Sequence, residues 1–363
     1  MSVGPLRPDA AREDDMRKAF ALVGFASAMI LGATPQSRAA DPVADFYTGK
    51  TITHIVGAGA GGAYDLVSRS VVAHMGKYIP GKPNFVVSNM AGASSLTMMN
   101  YLTNAAKKDG SVMGMTNPNI ALEGPLKMLS KGGGKAMFDV NKLQWIGSPL
   151  QQPHVLWVWH TAPAKTFDDL RTNKVILAST AVGGDNYTLP LILSRLMGAK
   201  FDIVTGYEGQ NDVFIATERG EVQGNSAILP NLTSARPDWF RDGKVRVLVQ
   251  FGTNRMRQLP DVPTAIELAK REQDKEMLRF YARKFSMAYP FVMTQEVPAE
   301  RVKAIRAAFE QTMKDEGFLK EAARLGLDVD PFSGAEMEQL ITEMNNSPKA
   351  IVDAVAEFIQ MPK

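Results

Sequence analysis

The sequence lacks cysteine altogether across its 363 residues. That absence excludes disulfides, thiolate metal sites and catalysis by a thiol nucleophile. A dominant charge is also missing, because 41 basic side chains stand against 38 acidic ones, for a formal net charge of +3. With a balance this even, the sequence has no excess of positive charge of the kind that binds nucleic acid or an anionic membrane. We therefore expect neither as a partner.

The motifs of common enzymes are absent as well. The four histidines, at positions 54, 74, 154 and 160, do not have the spacing of metal ligands. The sequence contains neither the G-x-S-x-G elbow of hydrolases nor an S-x-x-K motif. We therefore expect no metal and no catalytic residues, and an exported α/β enzyme remains only as an alternative.

Long apolar runs are missing except for one near the N-terminus. Arg17 and Lys18 precede an uncharged apolar run from Ala19 to about Ala33, and small residues follow at Ser37-Arg38-Ala39. This is the pattern of a cleavable secretory signal peptide, and the run is shorter than the ~20 residues that span a bilayer. The pattern predicts a signal peptide over 1–39 and a periplasmic protein. Because residues 1–15 are polar and acidic, Met16 is the expected true start, and whether 1–15 are translated stays open.

A glycine-rich stretch lies between an apolar run and an amphipathic one, and it permits two interpretations. Gly57, Gly59 and Gly62 satisfy the G-x-G-x-x-G fingerprint of dinucleotide-binding enzymes. The same stretch is also a turn at a helix N-terminus, where free backbone N–H groups and the helix dipole attract any anion. A dinucleotide site needs an acidic residue about 20 positions further on, but no Asp or Glu occurs between Asp65 and Asp109. The second interpretation is favoured, and no cofactor is expected.

Short apolar runs alternate with helical patterns from Thr51 onward, which predicts a two-lobed α/β protein with mainly parallel sheets. We expect a first lobe over 43–147, a second over 148–251, and a return to the first lobe over 252–363. The charged helical segment 264–284 is expected to be solvated and is given no function. Small-residue loops follow strands at four places, and ligands of such sheets bind where these loops meet helix N-termini. The four loops are 57–65, 89–95, 179–186 and 206–212.

The stretch Thr51–Arg69 resembles the first strand, loop and helix of the tripartite tricarboxylate transporter receptors, the Bug-type extracytoplasmic solute-binding proteins. Gly61, Gly62, Asp65 and Arg69 stand at the places of that family's Gly-Gly-x-x-Asp and later Ala-Arg.

Further matches to that family follow along nearly the whole chain after the signal peptide. Asn89-Met90-Ala91-Gly92-Ala93 is similar to its Asn-x-x-Gly-Ala segment, and Gly243–Leu248 followed by Arg255 and Leu259–Thr264 is the most specific match. Two departures stand out. The first loop lacks the family's prolines, and the stretch after Pro263 is longer and more charged.

The resemblance implies a type II periplasmic-binding-protein architecture with the ligand in a cleft between the lobes. It also implies a small carboxylate ligand, membrane transporter subunits as partners, and a monomer. The ligand class stays open between aliphatic di- or tricarboxylates, aromatic acids and amino acids. A periplasmic sensor that feeds a signalling partner is the alternative function.

All the predicted ligand-binding residues except the nearby Asn117 belong to the small-residue loops. These loops carry backbone N–H, Ser, Thr and Asn donors and almost no Lys or Arg, so that a carboxylate is held without a fixed cation. Asp65 either orients its loop or receives a ligand amine. The first-lobe residues are Gly59, Ala60, Gly61, Gly62, Asp65, Ala91, Gly92, Ala93, Ser94 and Asn117, and the second-lobe residues are Thr180, Gly183, Asp185, Asn186 and Gln210. Ser94-Ser95 is expected to cap the helix that begins at Leu96.

Overall fold

The structure is a computed structural model, and it describes residues 1, 2, 4, 41–127, 135–180, 182 and 184–359. Apart from residues 1, 2 and 4, the predicted signal peptide, which includes Met16, lies outside the described residues, and so does Gly183. The strands are β1 (Thr51–Val56), β2 (Asn84–Asn89), β3 (Val112–Met115), β4 (Gln144–Ser148), β5 (His154–Trp159), β6 (Val175–Ser179), β7 (Phe201–Thr205), β8 (Gly224–Ile228), β9 (Val245–Phe251), β10 (Phe291–Met293) and β11 (Phe332–Ser333).

Helices cover both faces of the sheets, as short apolar strands with connecting amphipathic segments require. The α-helices are α1 (Pro42–Tyr47), α2 (Ala63–Met75), α3 (Leu96–Asn104), α4 (Glu123–Leu126), α5 (Asp185–Met197), α6 (Gln210–Glu218), α7 (Leu229–Thr233), α8 (Pro237–Arg241), α9 (Ala265–Leu268), α10 (Glu272–Ala282), α11 (Ala299–Thr312), α12 (Glu316–Arg324), α13 (Gly334–Asn345) and α14 (Lys349–Ile359). No helix of the described residues is long and apolar enough to cross a membrane.

The strands form two sheets, which confirms the predicted α/β class. The first sheet has the order β11-β4-β10-β3-β1-β2, and the second has the order β7-β6-β8-β5-β9. In the first, β1 runs parallel to β2 and β3, while β10 is antiparallel to β3 and β4. In the second, β6 runs parallel to β7 and β8, and β5 is antiparallel to β8 and β9.

The carboxyl edges of the two sheets face each other because of how the chain crosses between them. Strand β4 ends at the same edge as β1, β2 and β3, since both β4 and β3 run against β10. Strand β5 begins at the carboxyl end of β8, since the two are antiparallel. Residues 149–153 are the whole connection from β4 to β5. So short a link holds the two edges together and leaves their loops on either side of one cleft.

Each sheet has an apolar core on both faces. In the first sheet, one cluster contains residues of α2, α11 and α12, and the other contains residues of α3 and α13. In the second sheet, one cluster contains residues of α5, α10 and α14, and the other surrounds the buried Trp157 and Trp239. These cores fix the strand ends, and therefore the loops at the cleft.

The range 252–363 is shared between the two sheets. Strands β10 and β11 complete the first sheet, whereas α10 and α14 pack in a core cluster with the second. The boundaries of the lobes remain a prediction.

The segment 264–284 has the expected solvated face, with Glu272, Glu276 and Arg279 exposed, but its other face is buried. Met277, Leu278, Phe280 and Tyr281 are buried in the second-sheet core, and Lys284 is only 3% exposed. The charged residues between the apolar ones hid this buried face in the sequence.

Candidate functional site

The first glycine loop is held in shape by Asp65, which lies in the first turn of α2. The Asp65 carboxylate accepts hydrogen bonds from the backbone N–H of Gly61 at 2.9 Å, from Arg69 Nε at 3.0 Å and from Asn89 Nδ2 at 2.9 Å. Asn89 Nδ2 also donates to the carbonyl oxygen of Ala58 at 3.1 Å. Both carboxylate oxygens are therefore engaged within the protein. Of the two roles considered for Asp65, these contacts support the orientation of the loop.

The same contacts account for the acidity of Asp65. The hydrogen bond from Arg69 is the main cause, and those from Gly61 and Asn89 add to it, so that the pKa of Asp65 falls to about 2 although burial opposes the shift. Asp65 is therefore ionised at neutral pH. Because Arg69 is committed to Asp65 and Asn89, it is not an unpaired cation for a ligand.

Ser95 joins three loops of the first lobe. Its hydroxyl donates to the carbonyl oxygen of Gly57 at 2.8 Å and accepts from the backbone N–H of Asn117 at 2.9 Å. A Cβ atom on Gly57 would lie 2.5 Å from Ser95 Oγ, which is why glycine is required there. The predicted cap on α3 is not formed by Ser95, which makes no side-chain cap hydrogen bond. Its hydroxyl instead fixes the ends of β1 and β3 against the loop before α3.

Replacement of Ser95 by alanine is expected to lower the free energy of unfolding by about 1–3 kcal/mol, because a buried carbonyl and a buried N–H lose their partner. Thermal or urea unfolding measures the loss. Ser94→Ala is the matched control, since Ser94 is exposed, and it should leave stability within about 0.5 kcal/mol of the original. Equal effects of the two substitutions would show that the hydrogen bonds of Ser95 to Gly57 and Asn117 do not stabilise the fold.

The predicted first-lobe residues lie together on an exposed surface of the cleft. Residues 59–62 and 91–94 are exposed, and Asn117 is half-buried, with its side-chain oxygen accepting from the N–H of Asn119 at 2.9 Å. The N–H groups of Gly62, Ala63 and Tyr64 donate to no acceptor in the described part of the chain. These are the unsatisfied amides of the first turn of α2, at the positive end of its dipole.

The predicted second-lobe residues also meet at the cleft edge. Asn186 accepts from Ser179 Oγ at 2.8 Å and donates to Thr180 Oγ1 at 3.1 Å, so the loop before α5 is tied to the helix it precedes. Gln210 begins α6 and accepts from Asn225 Nδ2 at 3.3 Å. The structure thus brings these residues to the loops after β6 and β7, and gives no position for Gly183.

Asp185 has partners that the sequence did not indicate. Its Oδ1 accepts from Lys284 Nζ and from the hydroxyl of Tyr281, each at 2.7 Å, and Lys284 Nζ lies 3.1 Å from the same hydroxyl. The prediction of loops without a fixed cation therefore needs correction, because a buried ammonium group lies at the N-terminus of α5. That cation is already paired with Asp185, so the cluster adds no net charge to the cleft.

The charges of Asp185 and Lys284 also act on the pKa of His154. Burial raises the pKa of Asp185, but the charge of Lys284, then the nearby His154 and the hydrogen bonds from Lys284 and Tyr281, outweigh it and hold that pKa at about 2. Burial lowers the pKa of His154 to about 4. At neutral pH, therefore, Asp185 is ionised and His154 is neutral.

Two tyrosines connect the start of α2 to the first crossover between the sheets. Tyr64, on α2, packs against Tyr289 with ring centroids 5.0 Å apart, and its hydroxyl accepts from Asn117 Nδ2 at 3.3 Å. The hydroxyl of Tyr289 accepts from Gln152 in the first crossover at 3.2 Å. The pKa of Tyr64 is raised by burial, by Tyr289 and by the negative charge of Asp185. A chain of contacts also joins the two sets of predicted residues, because Lys284, the partner of Asp185, precedes Phe285, whose carbonyl oxygen accepts from the N–H of Gln152 at 2.9 Å.

A separate cavity of about 600 Å³ borders the first crossover at residues 150–153. It is lined by 229–234, by 252–258 and by the segment 326–330 that leads into β11, and none of the predicted ligand-binding residues lines it. Strand β11 is at the opposite edge of its sheet from β2, and β9 is at the opposite edge from β7. This cavity and the predicted loops are therefore distinct places.

Sequence reasoning missed Lys284, Tyr281 and Tyr289, and it gave Ser95 only the role of a helix cap. Only Lys284 carried a signal, as a cation at the end of an amphipathic helix whose apolar face continues through Tyr281. The contacts of all four residues join segments distant in the chain, with 99 residues between Asp185 and Lys284.

Known proteins resemble this chain in both sequence and fold. A family model described as "Tripartite tricarboxylate transporter family receptor" matches residues 67–356. No curated protein matches the sequence. A solved TctC solute-binding protein from Polaromonas, without ligand, has 17% identity and a TM-score of 0.66, and the match covers 85% of this chain and 99% of that one.

Two structures from Rhodopseudomonas palustris are also similar. MatC with bound malate has 19% identity and a TM-score of 0.53, with 86% of this chain and 99% of that chain covered. A second protein, with adipate, has 17% identity and a TM-score of 0.56, with 85% and 97% covered. At these identities the likeness shows the two-lobed fold.

Proposed function

The chain belongs to the tripartite tricarboxylate transporter receptor family, and we propose that it captures a small organic carboxylate between its lobes and delivers it to transporter subunits in the membrane. Receptors of this family are periplasmic solute-binding proteins. The signal-peptide pattern over 1–39 supports export of this chain to the same compartment. The proposal comprises the carboxylate class, the coupling to a transporter, and binding without catalysis.

One observation supports the proposal that the ligand is a carboxylate. The free amides of the first turn of α2 open onto a cleft whose ion pairs, Asp65 with Arg69 and Asp185 with Lys284, are internally neutralised. Backbone N–H groups at a helix N-terminus bind an anion without a positive side chain. The malate and adipate bound by the two similar proteins are carboxylates, which supports the same class here.

Calorimetric titration of the protein from Asp41 onward with mono-, di- and tricarboxylates tests the proposal. At least one of these acids should bind with a dissociation constant in the micromolar range or tighter, and a nicotinamide nucleotide should not bind. Binding of the nucleotide with no binding of any acid would overturn the proposed function.

A bulky side chain at Gly59 should weaken that binding at least tenfold without a loss of stability. A Cβ atom there meets nothing within 4 Å, so Gly59→Leu fits the fold but fills the space in front of α2. Ala323→Leu, on an exposed position of α12, adds the same bulk outside the cleft and should leave affinity unchanged. Calorimetry and thermal unfolding of both variants provide the comparison. Unchanged affinity in Gly59→Leu would place the ligand elsewhere.

A further inference from the structure

Asp185 and Asp65 are the acidic side chains at the N-termini of α5 and α2, and they differ in what remains available for a ligand. Asp65 uses both oxygens on three donors within the protein. Asp185 uses only Oδ1, and within the described residues nothing donates to its Oδ2. Its side chain is 27% exposed. One carboxylate oxygen of Asp185 is therefore open to a hydrogen-bond donor.

The open oxygen lies in the cleft between two lobes. Asp185 begins α5 at the carboxyl edge of the second sheet and pairs with Lys284. The carbonyl oxygen of the next residue, Phe285, accepts from the N–H of Gln152, whose side chain donates to the hydroxyl of Tyr289, the ring neighbour of Tyr64 at the start of α2. Gly62, which precedes α2, offers its free amide on the same side as Tyr64. A ligand between the lobes thus meets amide donors on one wall and a carboxylate acceptor on the other.

Lys284 does not take over the role of anion anchor on the second wall. Its side chain is only 4% exposed, and its ammonium group is directed to Asp185 and Tyr281. Asp185 lies between this ammonium group and the cleft and presents a negative oxygen there. The second wall therefore offers no unpaired cation from Lys284 to the carboxylate of a ligand, whereas the free amides of the first wall attract it, and this difference orients the ligand.

Glu208 is another carboxylate near this edge, on the loop after β7. Its side chain is exposed and has no partner among the described residues. A ligand donor would therefore compete with bulk water for its carboxylate oxygens. Asp185 differs because Lys284 and Tyr281 hold its side chain in one position before the ligand arrives. A positioned acceptor recognises a donor with less loss of conformational entropy than a mobile one.

We propose that Asp185 determines the specificity of the cleft by accepting a hydrogen bond, through its Oδ2, from an ammonium or hydroxyl group of the ligand. The cleft then selects amino or hydroxy carboxylic acids over the same acids without that group. This inference rests on the proposed carboxylate-binding function. A hydrogen bond to a charged acceptor corresponds to a preference of about ten- to a hundredfold.

The test uses acids that differ only in the donor group. The sets are succinate, malate and aspartate; propionate, lactate and alanine; and butyrate with 4-aminobutyrate. Calorimetry on the wild-type protein should show, in the set that binds, at least tenfold tighter binding of the hydroxy or amino member than of its parent. Comparing the affinity of malate with that of aspartate, and of lactate with that of alanine, shows whether the donor is a hydroxyl or an ammonium group.

A variant without either charge isolates the role of Asp185. The double variant Asp185→Ala with Lys284→Met removes the acceptor and leaves no buried ammonium unpaired. The ratio of its affinities for the substituted and the parent acid should fall to about one, whatever its affinity for the parent acid. An equal loss for parent and substituted acids would show a structural role only and overturn the inference.

The wild-type titrations decide the matter even if that variant does not fold. Binding of the parent acids with no preference for their substituted forms contradicts the role of Asp185 and leaves the proposed function intact. Binding of none of the acids, including the tricarboxylates, contradicts the proposed function itself. The two failures are therefore distinguishable.

Discussion

Replacement of Lys284 by methionine is expected to lower the free energy of unfolding by about 3–5 kcal/mol, because it leaves the carboxylate of Asp185 without its buried counter-ion. The ammonium group is 2.7 Å from Asp185 Oδ1 and is almost fully enclosed. The paired variant Lys284→Met with Asp185→Asn removes both charges and should recover most of the loss, since Tyr281 can still donate to the amide oxygen. Urea unfolding at neutral pH measures all three proteins.

The effect of Lys284→Met should depend on pH. The folded-state pKa of Asp185 is about 2, below its ordinary value of 3.8. A lowered pKa contributes stability that is present above the ordinary value and is lost as the pH falls toward 2. In Lys284→Met that contribution is gone and the unpaired carboxylate favours its protonated form. The difference in stability between wild type and variant should therefore shrink as the pH falls from about 4 to 2.

An exposed ion pair provides the matched control for this substitution. Lys320 and Glu316 are 3.7 Å apart, with side chains 80% and 90% exposed. Lys320→Met should change the free energy of unfolding by no more than about 0.5 kcal/mol. A loss at Lys284 no larger than the loss at Lys320 would show that the Asp185–Lys284 pair does not stabilise the fold.

Replacement of Asp65 by alanine is expected to lower both stability and ligand affinity. The change leaves the N–H of Gly61 and the side chain of Asn89 without their acceptor, and an unfolding cost of about 2–3 kcal/mol follows. The same contacts shape the loop that presents the amides of α2, so affinity for the bound acid should fall about a hundredfold. Chemical unfolding and calorimetry measure the two effects.

A conservative variant separates the shape of the loop from its charge. Asp65→Asn keeps one oxygen for the N–H of Gly61 while it removes the negative charge that pairs with Arg69. It should be intermediate in both measurements. If Asp65→Ala retained wild-type affinity, the loop would not depend on Asp65, and the argument that this carboxylate orients the amides would be wrong.

Much of the fold could be predicted from the sequence because local patterns carry it. The apolar run Thr51–Val56 and the helix after Gly62 follow from hydrophobic periodicity. The short antiparallel strands β10 and β11 were not predicted. They have three and two residues, so period-2 alternation has no room to develop.

The candidate site was predicted in outline but not in its connections. Glycine and small residues after strands indicated the loops, and the structure places the described ones at a shared cleft. Ser95, however, meets Gly57 across 38 residues, and Lys284 meets Asp185 across 99. Such contacts depend on the packing of whole elements, and no local pattern encodes them. The ligand-binding role of each predicted residue remains a prediction.

The most direct test of the account is the response of the backbone amides when a binding carboxylate is added. In a deuterated, ¹⁵N-labelled protein, titration with the acid selected by calorimetry should shift the amide resonances of Gly62, Ala63 and Tyr64 most, together with those of Asp185 and Asn186 on the opposite wall. Shifts confined to 252–258 and 326–330, around the separate cavity, would contradict binding between the glycine loop and the N-terminus of α5.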